Sequence, residues 1–250
     1  MIIDCHAHIG KSKHINSSVK DLIDSMEVAK IDKSLVFASK FADISNQELM
    51  DAISPYKDKL HGVLAYHSSD YPEKLFPYIE DANVVAVKFY LGYDHWYPTD
   101  ERIYEVLKLC WKYKKTAIFH CGDCLNSMGR AKLKYSHPLN IDEVAVDNPE
   151  VKIVIAHMGN PWVRDTAEVC YKNDNVYTDI SGYVYGKFSI IDVSNFEKLL
   201  KEYLRIAPPE KLLFGSDFPI SDNFSYKEIV LKLIGSSIFS NAEKAFGMKV

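Results

Sequence analysis

The chain has no apolar run approaching the roughly 20 residues that cross a bilayer, so a membrane-spanning protein is not expected. It has no excess of positive charge either. Against 34 Asp and Glu stand 30 Lys and Arg, and the net charge of −4 gives no sign of a nucleic-acid surface. A disulfide framework is also missing. The five cysteines (Cys5, Cys110, Cys121, Cys124, Cys170) are odd in number, and the chain opens on the strand-like MIID rather than on a leader. A reducing cytoplasm is the expected compartment. Cys121 and Cys124 form a C-x-x-C, but no second pair completes a structural zinc site, and two reduced thiols near a loop are expected. There is no G-x-G-x-x-G after a strand, no internal repeat and no low-complexity linker. One domain spanning residues 1–250 is therefore expected.

What is present is ordinary for a soluble globular protein: 47% apolar and 26% charged residues, in a chain long enough to bury a sizeable core. Eight short apolar runs recur: MIIDCH, SLVFAS, LHGVLAY, VVAVKFY, TAIFHC, VKIVIAH, NVYTDIS and LLFGSD. Most are continuously apolar, as parallel strands buried on both faces should be. Amphipathic stretches lie between them. SSVKDLIDSMEVAK begins with a Ser cap, TDERIYEVLKLCWKYK has Thr99 as its expected cap, and SNFEKLLKEYLRIA ends before Pro208 and Pro209. NIDEVAVDN, NPWVRDTAEVCYKN, SYKEIVLKLIG and SNAEKAFG complete the set. Eight βα units in about 250 residues predict an α/β fold, a single-domain (β/α)8 TIM barrel, with a doubly wound sheet as the runner-up.

Chemistry in such a barrel sits at the C-terminal ends of the strands. The polar residues expected there are His6 and His8 on strand one, Lys88 on four, His120 on five, His157 on six, Asp179 on seven and Asp217 on eight. Residues i and i+2 of a strand share a face, so His6 and His8 reach one metal from inside the barrel while Ala7 faces the helices. Imidazole and carboxylate together suit Zn²⁺, Mn²⁺, Fe²⁺ or Ni²⁺. His6, His8, His120 and Asp217 supply four ligands and leave a position for water, whose pKa a metal lowers towards neutrality. Asp217 or His157 then takes its proton. Burying so many ionisable groups without a metal would be costly. His14, His61, His67, His95 and His137 are expected to be ordinary hydrogen-bonded histidines, with His95 somewhat better placed in the loop after strand four. Arg130 and Arg164 follow strands five and six and are candidates for holding an anion. The aromatic loop YLGYDHWYPTD lines a pocket, forms a lid, or simply packs.

Together these residues resemble the amidohydrolase superfamily, and more closely its amidohydrolase-related (amidohydrolase 2) family of metal-dependent TIM-barrel hydrolases and decarboxylases. The resemblance spans essentially the whole chain and rests on DCHAHIG, VKFY, FHCGD, VIAHMGN, VYTDISG, LLFGSDFP and SNAEKAFGM. It implies that His6, His8 and His120 are metal ligands, that Asp217 binds metal and handles a proton, and that His157 polarises substrate or helps activate water. It implies two states for Lys88: a carbamate bridging two ions, or a plain amine that binds a substrate carboxylate or carbonyl. One ion with an uncarboxylated Lys88 is the expectation, with zinc ahead of manganese, iron or nickel.

The activity expected is a metal-dependent hydrolase acting through activated water on a small ester, amide or lactone. A non-oxidative decarboxylase on the same site is the alternative. The chain is shorter than the family's decarboxylases, which favours the hydrolase. A TatD-like nuclease is disfavoured, because that family has a glutamate where this chain has Lys88. A non-enzymatic barrel is disfavoured because no ligand is missing. The expected partner is a small molecule rather than nucleic acid or membrane; the resemblance allows a homodimer, and the sequence leaves the oligomeric state open.

Overall fold

The computed structural model describes residues 1–125, 129–184 and 190–248. Among them, eight parallel strands form one sheet in sequence order: β1 (Ile3–His8), β2 (Lys33–Phe37), β3 (Leu60–Tyr66), β4 (Val84–Phe89), β5 (Thr116–His120), β6 (Ile153–Ala156), β7 (Val176–Asp179) and β8 (Leu212–Leu213). The two ends of the sheet meet. The Cys5 N–H donates to the Phe214 carbonyl (2.9 Å), the Asp217 N–H to that of His6 (2.8 Å) and the His8 N–H to that of Phe218 (2.7 Å). This is the barrel the strand rhythm predicts. A small hairpin, Gly10–Lys11 with Asn16–Ser17, follows β1.

The strands are apolar on both sides because both sides are covered. Ile3, Cys5, Leu35, Phe37, Val63 and Ile118 fill the interior, whereas Val36, Leu64, Val87 and Phe119 pack outward under the helices. Each such side chain contributes about 1.5–3 kcal/mol by leaving water. The helices are α1 (Val19–Ala29), α2 (Asn46–Ile53), α3 (Leu91–Asp94), α4 (Glu101–Tyr113), α5 (Asn140–Asp147), α6 (Val163–Lys172), α7 (Ile190–Leu204), α8 (Asn223–Ile234) and α9 (Asn241–Phe246). The last of these stoppers the barrel. Ala242, Ala245 and Phe246 join the interior core, and the Thr116 hydroxyl donates to the Ala245 carbonyl (2.8 Å).

Three details differ from the sequence reading. Asp100, not Thr99, caps α4, accepting from the Arg102 N–H at 3.1 Å. Helix α2 was not expected, although Ser45 and Glu48 form a reciprocal capping box at its start. The connection from β3 to β4 holds no α-helix among its elements, only a 3-10 turn at Pro72–Leu75. Pro72 is tolerated at the first position of that turn, and Pro77 lacks the N–H that would extend it.

Two β-bulges aim the site. On β1, Asp4 and Ala7 pair with Ser34 and Val36, one residue more on β1 than on β2. Ile3 and Cys5 therefore point inward before the bulge, and His6 and His8 after it, with Ala7 facing out. On β4 the extra residue falls between Val84 and Ala86, so that Val85, Ala86 and Lys88 all turn inward. A strict period of two would not allow either set.

Candidate metal centre

The C-terminal mouth of the barrel opens into a cavity of about 570 Å³ whose walls include His6, His8, Lys88, His120, His157 and Asp217. Six positions chosen from sequence are thus brought to one place. At the floor, the Asp217 carboxylate lies 3.4 Å from His8 Nε2 and 3.9 Å from His6 Nε2, all three residues buried. Among the described residues these three form one metal-competent cluster, and His6, His157 and Asp179 form a second.

Asp179 organises the first cluster from behind. A carboxylate only accepts, so His6 Nδ1–H donates to Asp179 Oδ2 at 3.0 Å and leaves the lone pair on Nε2, the nitrogen facing Asp217 and His8. The other oxygen, Oδ1, accepts from the backbone N–H groups of His157 and Ser181, each at 3.0 Å, and from the Ser181 hydroxyl. With its proton committed to Asp179, the Ser181 hydroxyl accepts from His157 Nδ1–H at 2.8 Å. Both imidazoles therefore have their orientation fixed by one buried acid. Burial acts to raise the Asp179 carboxyl, but the His6 contact and the nearby positive charge outweigh it and hold the acid well below its ordinary range. Burial pushes His6 down to about 4, so its ring is neutral at physiological pH, as a ligand must be.

Asp217 is held below the usual carboxylate range as well: burial alone would raise it, and the His8 contact and surrounding imidazoles reverse that. Its backbone lies in the left-handed region (φ +66°), as do those of His157 (+60°) and Met158 (+43°). Such non-glycine conformations cost about 1–3 kcal/mol each and persist where the surroundings enforce them. Here hydrogen bonds from the Asp217 N–H to His6 and from the His157 N–H to Asp179 do so. Gly215 is needed for close approach, since a Cβ there would lie 3.0 Å from the Cβ of His6. Asp4 sits outside both clusters. It accepts from the Ser216 N–H (2.9 Å) and hydroxyl (2.6 Å), stitching β1 to the turn after β8, and burial pushes its carboxyl up to about 7.

Lys88 is 1% exposed, and among the described residues its Nζ has no hydrogen-bond partner. It lies 5.2 Å from the Phe37 ring centre and 5.6 Å from that of Tyr90. Burial pulls its pKa down to about 8. His120 shares the cavity, with its ring 5.0 Å from that of His157, but it belongs to neither cluster. Its Nε2–H donates to the Asp123 carbonyl at 3.0 Å, which leaves Nδ1 as its lone-pair nitrogen.

Two histidines expected to be ordinary also line this cavity. His14 stacks on Phe41 (4.8 Å), and His67 is paired with Asp94. The position of His67, directly after β3, was a legible signal; that of His14, inside the hairpin, was not. His95 faces a separate surface depression with Asp100, Arg102 and Tyr135. The two arginines do not line the cavity: Arg130 is exposed, and Arg164 lies 3.6 Å from Glu202 on the surface. The loop after β4 divides its work. Tyr90, Tyr93 and Asp94 line the cavity, while Trp96 is buried against Tyr66 (5.9 Å) and Phe89 (6.4 Å). Cys121 and Cys124 are free thiols.

Fold and site define a (β/α)8 barrel with a buried His–His–Asp donor set at its catalytic face. A family model described as Amidohydrolase matches residues 3–236, and the chain belongs to that family. Protein fluG of Emericella nidulans is 30% identical over 82 residues, which is 33% of this chain and 9% of the length of that protein. Three solved structures share the fold over almost their full length. A probable 2-pyrone-4,6-dicarboxylic acid hydrolase from Acinetobacter baumannii, with citric acid bound, has a TM-score of 0.73 at 15% identity, covering 99% of both chains. An amidohydrolase from Burkholderia multivorans with bound zinc has a TM-score of 0.75 at 12% identity, covering 100% of both. The 5-carboxyvanillate decarboxylase LigW from Sphingomonas paucimobilis has a TM-score of 0.70 at 11% identity, covering 99% of both.

Proposed function

We propose that the protein is a metal-dependent hydrolase that adds water to a small carbonyl substrate, an ester, amide or lactone. The observation that carries this reading is the convergence of His6 Nε2, His8 Nε2 and one Asp217 oxygen at the floor of the cavity. The donor set fits a divalent ion: the His6 imidazole, held neutral by burial and with its tautomer fixed by Asp179, lies with His8 beside an ionised carboxylate. His6, His8 and Asp217 would hold it, with His120 as the fourth donor. Zinc is the first choice, then manganese, iron or nickel; one ion is favoured, or two if Lys88 is carboxylated. When bound, such an ion supplies positive charge that polarises a carbonyl and acidifies water.

The chain's own residues do the rest. Asp217 accepts a proton from the attacking water and can return it later. His157, oriented through Ser181, points a hydrogen-bonding nitrogen towards the substrate. Lys88, whose Nζ has no hydrogen-bond partner among the described residues, offers its ammonium to a carboxylate or a carbonyl oxygen. Tyr90, Tyr93 and Tyr183 give the cavity aromatic walls for a small substrate. A small molecule in the cytoplasm is the partner this reading implies, with no role for nucleic acid or membrane; the same reading allows a homodimer. Among the described residues no helix is long and apolar enough to cross a membrane.

Lys88 also favours a second reading, a non-oxidative decarboxylase, because a buried lone ammonium suits a substrate carboxylate. The test is to incubate metal-loaded protein with lactones, esters, amides and hydroxyaryl acids in isotopically labelled water. Label in an acid product supports the hydrolase. Release of CO₂ without label overturns it in favour of the decarboxylase.

A further inference from the structure

We propose that His67, held by Asp94, is a second proton-transfer residue of this site and acts as the general acid on the leaving group. The proposal rests on the hydrolase reading above. His67 follows β3 and lines the same cavity as the metal donors. Its Nδ1–H donates to Asp94 Oδ2 at 2.7 Å, an acid and imidazole both largely buried (14% and 6% exposed). Nδ1 is thereby committed, and Nε2 is the ring nitrogen left for the cavity.

The pair is built rather than incidental. The His67 N–H donates to Asp70 Oδ2 at 2.8 Å, and the Asp70 N–H returns to the His67 carbonyl at 2.9 Å, closing a tight turn. The His67 ring stacks on Tyr90 (5.5 Å, 15° between planes). Asp94 ends α3, and its carbonyl accepts from the Ser68 hydroxyl at 3.1 Å. A base oriented by a carboxylate and aimed into a cavity is the arrangement that proton transfer requires.

Position separates its role from that of Asp217. In the eight-stranded barrel, β3 stands two strands from β1 and three from β8, so His67 and Asp217 occupy different sectors of the mouth. A substrate whose carbonyl sits at His6, His8 and Asp217 and whose leaving group extends along the same cavity toward β3 meets His67 there. In ester hydrolysis the water oxygen bonds to the carbonyl carbon while one of its protons passes to Asp217. The bond from that carbon to the leaving oxygen then breaks, and its electron pair stays on the oxygen. That oxygen takes the Nε2 proton of doubly protonated His67, whose charge Asp94 balances. Solvent restores the proton to His67 and removes the one on Asp217, so the net change is ester plus water to acid plus alcohol.

The experiment compares zinc-loaded wild type, His67→Gln and Asp94→Asn on two acetate esters: p-nitrophenyl acetate, whose leaving group needs no proton, and phenyl acetate, whose leaving group does. Melting curves confirm that the variants fold, and Asp94→Asn tests the pair with the imidazole still in place. General acid catalysis predicts a loss of about 100- to 10,000-fold in kcat on phenyl acetate for His67→Gln, a smaller loss for Asp94→Asn, and little change on p-nitrophenyl acetate. Equal losses on both esters, or none, overturn the role of His67 while leaving the hydrolase reading intact. Wild type inactive on both esters, and on a panel of lactones and amides, overturns the hydrolase reading and this assignment with it.

Discussion

Replacing Asp179 by Asn tests whether the metal site depends on a fixed tautomer. The amide has one acceptor oxygen, whereas Asp179 accepts on both sides: from His6 on Oδ2, and from the His157 N–H, the Ser181 N–H and the Ser181 hydroxyl on Oδ1. Three donors outweigh one, so the Asn oxygen turns toward Ser181 and its NH₂ faces His6 Nδ1. That nitrogen must then accept, and the ring proton moves to Nε2, the atom 3.9 Å from Asp217. A protonated Nε2 has no lone pair for a metal. Loss of such a supporting contact typically weakens binding about 10- to 100-fold, or about 1.4–2.7 kcal/mol. Competition for Zn²⁺ against a chromophoric chelator reads the change directly, with a melting curve of the metal-free protein as the control for folding. Wild-type affinity in a folded Asp179→Asn variant would refute the reasoning, because the tautomer of His6 would then not matter.

Two further substitutions probe the same centre. Gly215→Ala places a methyl 3.0 Å from the Cβ of His6 and 3.3 Å from the Cys5 sulfur. It should lower stability by about 1–3 kcal/mol in denaturant titrations and weaken zinc binding, whereas unchanged values of both would show that the turn gives way freely. Lys88→Met removes a buried amine that has no hydrogen-bond partner among the described residues, so it should raise the stability of the metal-free protein while abolishing turnover. Lys88 titrates near 8 when folded against an ordinary 10.5, so between those values the unfolded chain binds more protons and unfolding becomes harder as pH rises. Urea titrations of the metal-free proteins should show wild type gaining about 3 kcal/mol on Lys88→Met over that interval. A constant difference would contradict the burial of a lone amine.

Much of this was legible in sequence for a physical reason. Strands buried on both faces must be apolar throughout, and VVAVKF and VKIVIA say so without ambiguity. The polar residues that interrupt them at one end, His6, His8, Lys88, His120, His157 and Asp217, all reach the cavity. Less legible was anything set by register. Ile3, Cys5, His6 and His8 all point inward because of a bulge that no composition rule announces. Asp179 reads as one more strand-end acid, yet it is the residue on which His6, His157 and Ser181 converge, a fact that appears once the ends of β1, β6 and β7 meet at the barrel mouth. His67 does not stand out in sequence, because a lone histidine is usually structural and its partner Asp94 lies 27 positions away. Helix α2 is hard to read from sequence despite its capping box in SNQE, because the helix is short and its start follows a turn.

The most direct test is metal content per chain, measured by elemental mass spectrometry on wild type and on His6→Ala/His8→Ala purified side by side without chelators. The account predicts one equivalent of a transition metal in wild type and none in the double variant, with cooperative melting in both. Equal metal in the two proteins, or none in wild type even after reconstitution, would contradict it.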